Sequence, residues 1–124
     1  MTDLILLAAG ASKRFGSNKL LYEINNMPMY LWGLKALREA SCGRVAVVTG
    51  YPEIIEEAKR MDELVIENYE PQKGISHSIK LAVRNTDADA VLFLAADQPY
   101  IKSETVKAFV KGFISSGKKA GCIS

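Results

Sequence analysis

Three cations, Lys13, Arg14 and Lys19, fall within seven positions of a segment that also holds Gly10 and Gly16. Glycines let a backbone turn tightly and approach a ligand closely. Backbone N–H groups exposed in such a loop can cradle an anion. Arginine adds a planar fork and lysine a point charge, so Arg14 and Lys19 suit the neutralisation of a polyphosphate. Asp97, in Ala95-Ala96-Asp97-Gln98-Pro99, is the matching acidic candidate. Transfer of a phosphoryl or nucleotidyl group needs a divalent cation to offset charge. Magnesium takes one or two carboxylates together with phosphate oxygens and water. Two better-known phosphate loops do not fit. Gly10 and Gly16 have five residues between them and Lys19 lies three beyond the second, against GxxxxGK[ST]; no GxGxxG triplet occurs. The residues by themselves also suit a solvated turn, and Asp97 a turn before Pro99.

The elements that must position these residues alternate in period. Leu4–Ala9, Val45–Thr49, Leu64–Ile66 and Ala90–Leu94 are continuous apolar runs, as expected of strands buried on both faces of a parallel sheet. Helical stripes lie between them: Tyr30, Leu34 and Leu37 behind Pro28; Ile54, Ile55, Ala58 and Met61 behind Pro52; Ile75, Ile79, Ala82 and Val83. The clearest is Val106, Phe109, Val110, Phe113 and Ile114, with Ser103 expected as N-cap and Gly117 as C-cap. A further strand is expected over Ala120–Ile123. Strand and helix in alternation predict right-handed βαβ units: a Rossmann-like, three-layer α/β/α, doubly wound and mostly parallel sheet. Such sheets bind ligands beyond the carboxyl ends of their strands. The first loop and Asp97 both follow a predicted strand, which brings them to that edge.

Composition narrows the class. The 124 residues are 48% hydrophobic and 24% charged, enough for one globular domain. A net charge of +2 does not argue for a nucleic-acid or membrane partner. Leu4–Ala9 follows Asp3 rather than a basic stretch and is too short for a signal or a membrane span, so a cytoplasmic location is expected. Cys42 and Cys122 lack metal-ligand spacing and are expected to be reduced, small core residues. His77, the single histidine, is expected at the surface or behind the site.

Leu7-Ala8-Ala9-Gly10-Ala11-Ser12-Lys13-Arg14-Phe15-Gly16 with Lys19-Leu20-Leu21 resembles the LAAGxSxRxG…KLL signature of the MobA-like nucleotidyltransferases. The likeness is greatest to the molybdenum-cofactor cytidylyltransferase branch, because Ala8-Ala9-Gly10 stands where guanylyltransferases carry LAGG, and Asn18-Lys19 where they end in DK. Leu94–Pro99 resembles that branch's (G/A)DQP motif. Asn68 with Gly74–Ile79 resembles its N…GxxxSL stretch, with Ile79 for leucine. The resemblance implies a loop in which Leu7, Ala8, Ala9 and Gly10 contact the nucleotide, with Arg14 and Lys19 on the phosphates. It further implies magnesium on Asp97, and Gly74 and Ser78 near base and ribose, with Asn68 a weaker candidate. The same Ser76, Ser78 and Asn68 also suit a helix cap and a strand end. The implied reaction moves CMP from CTP to the phosphate of molybdopterin and releases pyrophosphate, with a molybdenum hydroxylase as the implied recipient of the cofactor.

Complete members of that family are commonly about half as long again. Residues 1–124 are therefore expected to form the nucleotide-binding part of a single nucleotidyltransferase domain, with the acceptor-binding part absent. A nucleotide-binding module without turnover, and a GTP-using or sugar- or alditol-phosphate transferase of the same fold, remain open. An uncovered edge at Ala120–Ile123 invites pairing with a second copy as a homodimer. A dehydrogenase's dinucleotide domain is disfavoured, since Thr49-Gly50-Tyr51 provides no ribose-binding carboxylate after the second strand.

Overall fold

The computed structural model describes residues 2–8, 19–70 and 73–123, with the backbone alone for Lys19 and Ile75. Five strands, β1 (Thr2–Leu7), β4 (Arg44–Thr49), β5 (Leu64–Glu67), β6 (Ala90–Ala95) and β7 (Ala120–Ile123), form one parallel sheet in the order β5-β4-β1-β6-β7. The expected α/β fold is therefore present. β1 is central and pairs Leu7 with Val48 of β4 and with Ala95 of β6. Its apolar run is unbroken because both faces are covered: Leu4, Ile5 and Leu6 are all fully buried. Burial of each such side chain contributes about 1.5–3 kcal/mol.

Alternate residues along the strands face two cores. Leu4, Leu6, Val45, Val47, Leu92 and Leu94 meet helices α1 (Met29–Ala40), α2 (Pro52–Arg60) and α4 (Ser103–Ser116). Ile5, Ala46, Val48, Val91 and Phe93 meet α3 (Ile75–Arg84) through Ile79, Leu81 and Ala82. Pro52 opens α2 at its first turn, where a missing N–H costs nothing. Pro28 lies one place earlier than expected, as the residue preceding α1.

Several sequence expectations are corrected. The connection β6–α4–β7 has the opposite hand to the others. The step from β6 to β7 runs against the step from β1 to β4, yet α4 packs on the same face as α1. Right-handed crossovers are the strong rule, and this one departs from it; at the same place Gly121 lies close under α4. A Cβ on Gly121 would come within 3.1 Å of the Phe113 ring, so its absence lets α4 lie flat on β7. Cys122 then points to the other face and is exposed, and Cys42 is half-buried, so neither is a fully buried core residue. Ser103 is the first residue of α4, and Lys102 occupies the cap position without a side-chain hydrogen bond. Gly117 does close α4, at φ 73°, with its N–H on the Ile114 carbonyl. Val83 and Ile114, read as stripe members, are 51% and 61% exposed.

A short hairpin, β2 (Glu23–Ile24) with β3 (Met27–Pro28), has no counterpart in the apolar patterning. Its turn residues Asn25 and Asn26 have φ of 52° and 68°. Positive φ at both central positions defines the type I′ turn that matches strand twist. The Trp32 indole donates to the Ile24 carbonyl at 2.9 Å and fastens the hairpin to α1. Among the described residues, no helix is long and apolar enough to cross a membrane.

Candidate active site

The carboxyl ends of β1, β4, β5 and β6 converge where the sequence places its chemistry. Ala8 follows β1. Its N–H donates to the Val48 carbonyl at 2.8 Å, and its carbonyl accepts the Thr49 hydroxyl at 2.9 Å. Ala8 is fully buried and is the last described residue before the glycine-rich segment. Leu7 beside it is half-buried, and its carbonyl accepts the Ala96 N–H at 3.0 Å. That bond locks the end of β6 to the end of β1. Asp97 is the next residue, in an exposed turn. The root of the first loop and the acidic candidate are thus set side by side by strand register.

Ala9, Gly10 and Arg14 lie outside the described residues, as does the side chain of Lys19. The Lys19 backbone opens a short 3-10 turn, Lys19–Leu21, which leads to the hairpin; Leu20 of this turn is buried in the main core.

A second group lies two strands away. Asn68 ends β5 and is 1% exposed; Ser78, on the first turns of α3, is 5% exposed. The Asn68 amide donates to the Ser78 hydroxyl oxygen at 2.8 Å, and its side-chain oxygen accepts the Glu70 N–H at 2.9 Å. A buried amide needs such partners, since an unsatisfied one costs about 1–3 kcal/mol. Ser78 caps nothing. Gly74 occupies the cap position of α3, exposed and at φ 86°, and a methyl group added there would find no neighbour within 4 Å among the described residues. The positive φ is what calls for glycine there. His77 is half-buried one residue before Ser78. Lys73, just upstream, pairs with Glu70 at 2.5 Å and holds that carboxyl below the usual range.

The chemistry of this edge is selective about charge. Its buried groups, Thr49, Asn68 and Ser78, are neutral, and its acid Asp97 is open to solvent. No cluster of three or more His, Cys, Asp or Glu able to hold a metal occurs among the described residues. A single exposed carboxylate is the donor set that suits magnesium arriving with its other ligands from a triphosphate and water. What sequence reasoning missed is Thr49. Its signal was present: one hydroxyl residue closing an otherwise apolar strand, followed by glycine.

Comparison with known proteins bears on the family and the fold. The chain is 31% identical over 123 residues to the bifunctional protein GlmU of Caldanaerobacter subterraneus subsp. tengcongensis, covering 97% of this chain and 27% of that protein. It is 34% identical over 119 residues to GlmU of Carboxydothermus hydrogenoformans, covering 94% and 26%. The chain therefore spans about a quarter of the length of these curated relatives. Among solved structures, a nucleotidyl transferase from Methanothermobacter thermautotroptrophicus matches with a TM-score of 0.79 at 27% identity, over 90% of this chain and 57% of that one. A CMP:2-keto-3-deoxy-manno-octonic acid synthetase complexed with CTP shares the fold, with a TM-score of 0.79 at 20% identity over 94% and 48%. Residues 4–124 match the MobA-like NTP transferase domain, and the chain belongs to that family.

Proposed function

We propose that this chain is the nucleotide-binding part of a magnesium-dependent nucleotidyltransferase that takes CTP and transfers CMP to the phosphate of molybdopterin. The observation that carries the reading is the register of β1 with β6, which sets Asp97 beside the root of the glycine-rich loop. Family membership gives that juxtaposition its chemical meaning. An acceptor phosphate oxygen attacks the α-phosphorus of the triphosphate. One P–O bond forms, the bond between α-phosphorus and bridging oxygen breaks, and pyrophosphate leaves. No covalent enzyme intermediate is needed. Positioning and charge neutralisation are the work of the protein.

Arg14 and Lys19 are assigned to the phosphates, where their charge offsets that of the departing pyrophosphate. Asp97 is assigned to hold magnesium, which supplies charge neutralisation on the phosphate oxygens when bound. Leu7, Ala8, Ala9 and Gly10 are assigned to the nucleotide's near side. Gly74 and Ser78, the latter braced by Asn68, are assigned to the base and ribose. The location proposed is the cytoplasm, and the partner proposed for the edge at β7 is a second copy. Delivery to a molybdenum hydroxylase belongs to the same reading.

A second reading keeps the triphosphate site and changes the acceptor to a sugar or alditol phosphate. It is favoured by the name of the relatives matched at 31% and 34% identity, bifunctional protein GlmU, which is not that of a molybdopterin enzyme. Pyrophosphate release from CTP, GTP and UTP, measured with molybdopterin and with sugar and alditol phosphates in turn, decides among these. Release from CTP with molybdopterin alone is the expected result. Release that depends on a sugar or alditol phosphate would overturn the molybdopterin assignment. Triphosphate binding without release under any pairing would leave the binding module.

A further inference from the structure

We infer that Thr49 is a positioning residue for the nucleotide loop, an inference that rests on the triphosphate site proposed above. Its side chain is fully buried, at the end of a strand whose other residues from Val45 onward are apolar. A buried hydroxyl costs free energy unless it is bonded. Here it is bonded twice. It donates to the Ala8 carbonyl at 2.9 Å and accepts the Tyr51 N–H at 3.2 Å.

The two bonds do different things. The backbone ladder between β1 and β4 carries on past Leu7 with the Ala8 N–H on the Val48 carbonyl. The Thr49 hydroxyl then continues the pairing by one side-chain bond, so the Ala8 peptide groups are gripped by β4 on both sides. The bond from Tyr51 ties the residue that precedes α2 to the end of β4. The Thr49 carbonyl meanwhile accepts the Asn68 N–H at 2.9 Å, and Asn68 holds Ser78. Thr49 is thereby the residue through which the loop root and the Asn68–Ser78 group share a frame. Gly50 completes the arrangement, because a Cβ there would sit 2.1 Å from the Asn68 carbonyl oxygen. That approach admits glycine alone.

Thr49→Val tests the hydroxyl at nearly constant shape. Thr49→Ser keeps it. Asp3→Asn, at the opposite end of the sheet, serves as a control for general loss of stability. Two readings are taken on all four proteins: CTP affinity with magnesium, and hydrogen exchange of peptides covering residues 9–18 without ligand. Thr49→Val is expected to weaken CTP about tenfold, the size of one lost buried hydrogen bond. It is also expected to speed exchange over 9–18 about fivefold. Thr49→Ser is expected to restore both, and Asp3→Asn to change neither at matched loss of thermal stability. Should Thr49→Val fail to fold, Thr49→Cys, of similar size and with only a weak donor, carries the same comparison. Unchanged affinity and exchange in the folded variant, or equal changes in Asp3→Asn, would overturn the inference. A parent protein that binds no triphosphate would instead remove the proposed function, and the exchange reading would then judge the Thr49 grip by itself.

Discussion

The two ends of the sheet handle polar groups in opposite ways. At the amino end a charge is buried: Asp3 is fully enclosed and accepts from the Arg44 guanidinium at 2.8 Å and from the Thr86 hydroxyl. The carboxylate in turn pushes the Arg44 pKa up. At the carboxyl end the buried groups are neutral, and the acid Asp97 is in solvent. A buried carboxylate needs a paired charge to be tolerated; both bonds here fall on Asp3 Oδ2, and Oδ1 has no partner among the described residues. A ligand site has the reverse need. Its charged groups must be available to an incoming phosphate or cation, and its buried groups must fix the backbone without adding charge. The contrast fits architecture at the amino end and the proposed nucleotide site at the carboxyl end.

Gly50→Ala should disrupt the carboxyl-end framework most. The added Cβ meets the Asn68 carbonyl oxygen and must separate β4 from β5, at an expected cost above about 3 kcal/mol; chemical denaturation measures it. Arg44→Ala attacks the amino end. It removes the charged partner of the buried Asp3 carboxylate, which keeps the Thr86 hydroxyl, and is expected to cost about 2 kcal/mol, with no effect on nucleotide affinity at temperatures where the protein stays folded. Gly112→Ala serves as the contrasting glycine. It lies inside α4 with open space around it, so the substitution is expected to stabilise by about 0.5–1 kcal/mol.

A pH-dependent effect concerns the core that both ends share. Burial, with a smaller push from Glu57, raises the Tyr30 phenol from 10.0 to about 12. Its folded pKa lies above its unfolded one, so the stability it contributes is full below pH 10 and is lost as pH rises toward 12. Tyr30→Phe is expected to show a shallower fall across that window in a denaturation series.

Much of this was legible in the sequence because the sheet is buried on both faces. Leu4–Leu7, Val45–Val48 and Ala90–Leu94 had to be unbroken apolar runs, and they were readable as such. The β2–β3 hairpin was not, since strands of two residues have no period; Asn25-Asn26 was the signal, through its tolerance of positive φ. The hand of β6–α4–β7 was hidden because it depends on which face of the sheet α4 covers, a contact between elements rather than a pattern within one. The Asp3–Arg44 pair joins residues far apart in sequence and leaves no local trace. At the site, strand ends pointed to Leu7, Ala8, Asn68 and Asp97, which follow or close strands at the carboxyl edge, whereas Gly74 and Ser78 were singled out by resemblance alone. Ser78, however, is bonded to Asn68, a pairing that only the fold reveals.

Whether the carboxyl edge holds a triphosphate through a metal on Asp97 is tested by calorimetric titration of CTP, with and without magnesium, into the protein and into Asp97→Ala. Binding is expected to need magnesium and to weaken at least about tenfold in Asp97→Ala. Thermal stability is expected to stay within about 0.5 kcal/mol of the parent, because Asp97 is exposed. Equal CTP binding by both proteins, or binding indifferent to magnesium, would contradict the assignment.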